Sequence, residues 1–183
     1  RGLTPLQIGC GPARISRPLS ADFAEIHGID VSDEMIRLAA AKLRDVPHAH
    51  VHHAQRSDLS LFADESFDFV YSYAVFQHIP SRDVVLGYLA EARRVLRPGG
   101  ILRCQINGLP ETSARYTTWE GVRICAADVA GFARRHDFQL LALEGTSTQY
   151  MWTTWRKQPA GWRARLRPVA AQTARIRAIG NGL

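Results

Sequence analysis

The chain alternates short apolar runs with stretches in which apolar residues recur every three or four positions. The runs at 3–8, 24–31, 49–54, 66–74 and 101–106 read as strands. The run at 66–74, with Phe67, Phe69, Val70, Tyr71 and Tyr73, is continuous enough for a central parallel strand covered on both faces. Helical spacing fills the intervals. A helix is predicted over 12–23. A second follows Ser32, a good N-cap with Asp33 and Glu34 in the first turn and Met35, Leu38, Ala39 and Leu43 on one side. A third, over 82–96, buries Val85, Leu89, Ala92 and Leu96, and a short fourth covers 125–136. Pro47 and the Arg97-Pro98-Gly99-Gly100 turn act as stops. Two final strands, 138–143 and 148–155, pair antiparallel after a long polar loop at 107–121. This alternation predicts one α/β domain, a mainly parallel sheet with helices on both faces.

Composition narrows the class. The chain has 183 residues, 46% hydrophobic and 22% charged, an ordinary profile for a domain with a real core. No stretch reaches the apolar length of a membrane span, and no secretory signal is visible. Cys10, Cys104 and Cys125 lack metal-like spacing and read as reduced thiols, so a cytoplasmic protein is expected. The net charge of +6 is uneven. Five arginines (Arg163, Arg165, Arg167, Arg175, Arg177) and no acid lie beyond Gly161, which leaves the rest of the chain at +1. Nucleic acid is therefore not an expected partner of the folded body. Residues 158–183 read as an Arg-rich linker or tail. Trp162, Leu166, Val169, Thr173 and Ile176 fall at helical spacing there, but Pro168 interrupts them.

Candidate chemistry clusters at the carboxyl ends of the predicted strands, where open parallel sheets bind ligands. Strand one runs into Gly9-Cys10-Gly11-Pro12, a turn that lets a ligand approach the backbone and exposes helix-start N–H groups. Strand two ends at Asp30, whose carboxylate suits the two hydroxyls of a ribose. Asp58 follows strand three and suits an exocyclic amine. Ser72 and Tyr73 end strand four, and His78 follows in the loop. Together these predict an adenosine-containing cofactor. Arg14 stands where a dinucleotide fingerprint has its third glycine, which argues against a nicotinamide oxidoreductase, and no Gly-Lys-Ser/Thr signature is present.

Five segments in order carry a family resemblance: Gln7-Ile8-Gly9-Cys10-Gly11-Pro12-Ala13, Gly28-Ile29-Asp30-Val31-Ser32-Asp33-Glu34-Met35, Ser57-Asp58-Leu59, Phe67-Asp68-Phe69-Val70-Tyr71-Ser72 and Arg94-Val95-Leu96-Arg97-Pro98-Gly99-Gly100. This pattern resembles the class I S-adenosylmethionine-dependent methyltransferases. The resemblance implies a Rossmann-like seven-stranded sheet of order 3-2-1-4-5-7-6, the last strand antiparallel. It implies a methyltransferase domain over 1–157 that lacks most of the family's usual N-terminal cap, and so an open pocket or a truncated chain. S-adenosylmethionine would be the cofactor, S-adenosylhomocysteine the product, and a small molecule the methyl acceptor. Gln7, Gly9, Cys10, Gly11 and Ala13 would form the cofactor loop and Asp30 would bind the ribose. Val31 and Met35 would flank the adenine, with Ser57, Asp58 and Leu59 at its amine. Ser72 and Tyr73 would border the methyl-transfer opening. Two positions depart from the pattern: Gln7 replaces an acid and Ala13 a glycine. They keep open an alternative, a methyltransferase-like binding or interaction module with weak or no catalysis.

His78 is the candidate general base, since its imidazole titrates near neutrality. His48, His50 and His52 alternate along strand three and would share a face. No acid or cysteine is interleaved with them, so no metal site is expected.

Overall fold

A computed structural model describes residues 2–112 and 115–162. Seven strands, β1 (Pro5–Ile8), β2 (Ile26–Asp30), β3 (Ala49–His53), β4 (Phe67–Ser72), β5 (Leu96–Ile106), β6 (Phe138–Glu144) and β7 (Met151–Lys157), form one sheet of order β3-β2-β1-β4-β5-β7-β6. β7 runs antiparallel to both neighbours, and the pairs among β1 to β5 are parallel. The expected fold class and strand order are thus observed. The Arg-rich segment and its amphipathic stripe, from Arg163 onward, lie outside the described residues.

The α-helices among the described residues are α1 (Ser16–Leu19), α2 (Asp33–Leu43), α3 (Arg82–Val95) and α4 (Ala126–Arg135), and the last three follow the predicted periods. Ser32 caps α2 by accepting from the Met35 N–H, and Ser81 caps α3 by accepting from the Val84 N–H. The main core joins α3 and α4 to the sheet through Val85, Leu89, Phe132, Phe138, Leu102 and Trp155. A smaller cluster, Ala13, Ala39 and Leu43 with Val46, Ala49 and Val51 against it, seats α2 on β3.

Two elements differ from expectation. The helix predicted over 12–23 is reduced to α1 and a 3-10 turn at Ser20–Asp22. Ala13 adopts φ 56°, a left-handed conformation no α-helix accommodates, so regular helix cannot begin until that residue is passed. The Arg97–Gly100 turn does not precede β5 but interrupts it. Leu96 pairs with Phe67 and Ile101 with Phe69, so four residues bulge out opposite Asp68 alone. Arg97 then pairs with the Asp68 carboxylate at 2.5 Å.

Candidate cofactor site

The carboxyl ends of β1 and β2 meet at one hydrogen-bonded knot. The Gly9 and Cys10 N–H groups both donate to the Ile29 carbonyl, at 2.8 and 3.0 Å. The Gly11 N–H donates to Asp30 Oδ2 at 2.8 Å, and the Ser32 N–H donates to Asp30 Oδ1 at 3.0 Å. Each carboxylate oxygen therefore carries one backbone donor. An ionised carboxylate has about four acceptor sites, so roughly two remain for a ligand.

Gly9 is demanded twice. Its φ is +69°, and an added Cβ would lie 2.3 Å from Val75 Cγ2. Gly11 also has positive φ, but a Cβ there would meet nothing within 4 Å. One glycine closes the loop against β4's exit; the other leaves an open flank beside Asp30.

Beside this loop lies a cleft of about 520 Å³ whose walls include Gly9, Asp30, Val31, Ser57, His78 and Tyr88. The size is ordinary for a small-molecule site. A groove of about 610 Å³ exists elsewhere, lined by Gly2, Glu25, His50 and Arg97 among others. It lies by the amino end of β2 and away from the glycine loop, so the smaller cleft is the cofactor candidate.

Gly9, Asp30, Val31, Ser57 and His78 are thus brought together as expected, with Gly11 joined through Asp30. Val31 is an exposed apolar side chain on the cleft wall. Other predicted residues serve the frame. Gln7 is buried, and its Oε1 accepts from the Ser16 hydroxyl at 2.6 Å and the Tyr71 hydroxyl at 3.1 Å. Burial pushes the Tyr71 phenol up to about 12, so it stays a neutral donor to Gln7. The Cys10 side chain turns inward against Gly28, where burial first, and the Asp30 charge second, push its thiol up to about 12. Ala13 is fully buried with Ala39 and Leu43.

Ser72 is also internal: its hydroxyl donates to the Ile8 carbonyl across the β1–β4 pair at 3.1 Å. Leu59 is buried, and its N–H donates to Glu91 Oε2 at 3.2 Å. Asp58 accepts from the N–H and hydroxyl of Ser60, which hold its carboxyl below the usual carboxylate range. Met35 sits in the first turn of α2, tied by its N–H to Ser32. Tyr73 stacks on Trp152 at 5.7 Å between ring centroids, with the Arg103 guanidinium over the far ring at 4.8 Å.

His78 lies in the cleft wall, but both ring nitrogens are engaged. Nδ1 is 3.1 Å from the Thr118 carbonyl and Nε2 is 3.3 Å from Gln77 Nε2. The carbonyl can only accept and the amide nitrogen can only donate, so the proton is on Nδ1 and the Nε2 lone pair faces Gln77.

The rest of the wall, Ala54, Ala74, Val75, Ile79, Ser81 and Tyr88, has no motif of its own. One signal was available: Tyr88 shares a helix face with Val84 and Ser81, which the third helix presents to the loop after β4.

A sequence profile described as "Methyltransferase domain" matches residues 6–104, more than half of the chain. The chain belongs to this methyltransferase family. It is 31% identical over 126 residues to phosphoethanolamine N-methyltransferase 2 of Caenorhabditis elegans, an alignment covering 67% of this chain and 28% of that protein. It is also 31% identical over 114 residues to a ubiquinone biosynthesis O-methyltransferase of Cereibacter sphaeroides, covering 62% and 45%. The chain therefore spans less than half the length of both relatives. A solved SAM-dependent methyltransferase from Methanosarcina mazei superposes with a TM-score of 0.68 at 21% identity, over 85% of this chain and 92% of that one. The methyltransferase fold is thereby established. No helix among the described residues is long and apolar enough to cross a membrane.

Proposed function

We propose that this methyltransferase domain binds S-adenosylmethionine in the Asp30 cleft and transfers its methyl group to a small-molecule acceptor by in-line displacement. The observation that carries this reading is the Asp30 carboxylate, held by Gly11 and Ser32 with acceptor sites left over on the wall of the cleft. A vicinal diol matches that pair of oxygens. The open flank at Gly11 leaves room for the remainder of the ligand, and Val31 supplies an apolar cover. The departures at Gln7 and Ala13 do not count against binding, because both side chains point into the protein.

The cofactor, when bound, supplies an electrophilic methyl group on a sulfonium. The protein's own work is alignment. Val75 and Gly9 wall the floor of the cleft, and Asp30 fixes one end of the ligand, which restricts the geometry of attack. His78 serves to tie the Thr118 loop, which carries the exposed Trp119, to the cleft wall. The named relatives act on a phosphorylated amine and on an intermediate of quinone biosynthesis, and small acceptors of these two classes are the ones to assay. The three cysteines are unpaired, which suits the reducing cytoplasm.

Incubation with methyl-labelled S-adenosylmethionine and a panel of amines and hydroxyl-bearing quinone precursors tests the proposal. Label in an acceptor supports it. Tight cofactor binding without transfer to any acceptor would favour the cofactor-binding module instead.

A further inference from the structure

The amino end of β2 holds a side-chain cluster that plays no part in the cofactor cleft. In the β2–β3 ladder His27 is paired with His50, so the two imidazoles project side by side from the sheet. Glu25, just before β2, reaches both. Its Oε1 lies 3.4 Å from His27 Nε2 and 3.3 Å from His50 Nε2, and the three ligand atoms all lie within 4.8 Å of one another.

These distances are long for N–H···O hydrogen bonds. The two edges to Glu25 Oε1 match another geometry. With bonds of roughly 2.0–2.1 Å to nitrogen and oxygen, a tetrahedral metal site has ligand–ligand edges of about 3.3–3.4 Å. We propose that Glu25, His27 and His50 bind Zn2+, with a water in the fourth position.

The surroundings suit this role. Metal on His27 Nε2 requires the ring proton on Nδ1, and His52 Nε2 stands 3.0 Å from Nδ1 to accept it. The two rings are within 12° of parallel. Outer partners of this kind fix the tautomer and orientation of a ligating histidine. Phe62 and Phe67 pack edge-on against His27 and hold it in place. Glu25 and His50 line the open groove of about 610 Å³, which gives an ion a path in. Arg97, the one arginine or lysine among the described residues lining that groove, is paired with Asp68. His48 is not a ligand, since its Nε2 meets the Ser20 carbonyl at 2.8 Å.

An ion here would pin the edge strand β3 to β2. It would be structural, because the cofactor knot lies at the other end of β2, beyond Ile29. The pattern was hidden in the sequence because the acid and one histidine come from the neighbouring strand.

The test is calorimetric titration of the untagged, chelator-stripped full chain with Zn2+, beside the variants His50→Ala and Glu25→Gln. Both residues are substantially exposed, so both variants should fold; a matched S-adenosylhomocysteine titration checks that. The expected result is one equivalent bound with Kd on the order of micromolar or tighter, weakened at least about tenfold by either substitution. Zn2+ should raise the thermal midpoint of the wild type and leave that of the variants in place. Co2+ should give intense visible bands without thiolate charge transfer. Absence of saturable binding below roughly 100 μM, unchanged affinity in either variant, or a thiolate band would overturn the proposal.

Discussion

The Gly11 amide and the Asp30 carboxylate meet at 2.8 Å, and this one bond ties the glycine loop of β1 to the tip of β2. The loop is therefore shaped by the protein's own groups, and the proposed function gives Asp30 two duties, to shape the loop and to meet the ligand. The Asp30→Asn variant should keep a single acceptor for one of the two backbone donors. It should lose only about 1 kcal/mol of stability in urea melts, because both donors can turn to water.

The contact between Gly9 and Val75 sets the floor of the cleft. Gly9→Ala places a methyl group 2.3 Å from a stiff β-branched side chain, at positive φ. A loss of roughly 2–4 kcal/mol is expected from strain and overpacking together. The double variant Gly9→Ala/Val75→Ala should recover part of it, leaving the conformational cost. Denaturant melts of the four proteins give the coupling energy; strict additivity would mean that the two groups do not collide.

Ala13 has φ 56° and is fully buried with Ala39 and Leu43. Glycine would relieve strain of roughly 1–2 kcal/mol. It would also lose a buried methyl worth about 0.8 kcal/mol and add roughly 0.4–1 kcal/mol of unfolded-state entropy. Ala13→Gly should therefore fall within about 1 kcal/mol of the wild type. Ala13→Val, branched at the same φ with no space around it, should cost about 3 kcal/mol or more in the same melts.

His78 is held by Thr118 and Gln77 through both nitrogens. Once an acceptor turns over, His78→Ala should lower kcat by less than about tenfold and leave the shape of the pH–rate profile alone. A fall of roughly 10²–10⁴-fold with loss of a titration near neutrality would make it the general base after all.

Burial lowers the pKa of His27, His52 and His136, so the folded state binds their protons less readily than the unfolded chain. The unfolded state then takes up more protons as pH drops below about 6.5. Stability should be full at pH 7.5 and decline through pH 6 towards 5, above the range in which carboxylates titrate. The urea midpoint measured across that window checks this, and His52→Gln should flatten the slope.

Much of the fold was legible because period and punctuation are local. The apolar runs, the Ser32 cap and the continuous strand at β4 all name their own elements. The site was legible where a residue acts from its place at a strand end, as Gly9 and Asp30 do. It was illegible where a partner from another strand decides. Gln7 looks like a cofactor contact until Ser16 and Tyr71 claim it. Ser72 is turned to Ile8, Tyr73 to Trp152, and the Leu59 amide to Glu91. The left-handed backbone at Ala13 shortened the first helix, since nothing local marks a non-glycine residue for positive φ. The Glu25–His27–His50 cluster exists only through the β2–β3 register.

The claim that the Asp30 cleft holds an S-adenosyl ligand is tested most directly by calorimetric titration with S-adenosylhomocysteine. Wild type, Asp30→Asn and Asp30→Ala should all be folded when measured. The wild type should bind one equivalent, and Asp30→Ala should weaken binding at least tenfold, about 1.4 kcal/mol, with Asp30→Asn between them. Equal dissociation constants for wild type and Asp30→Ala would contradict the assignment.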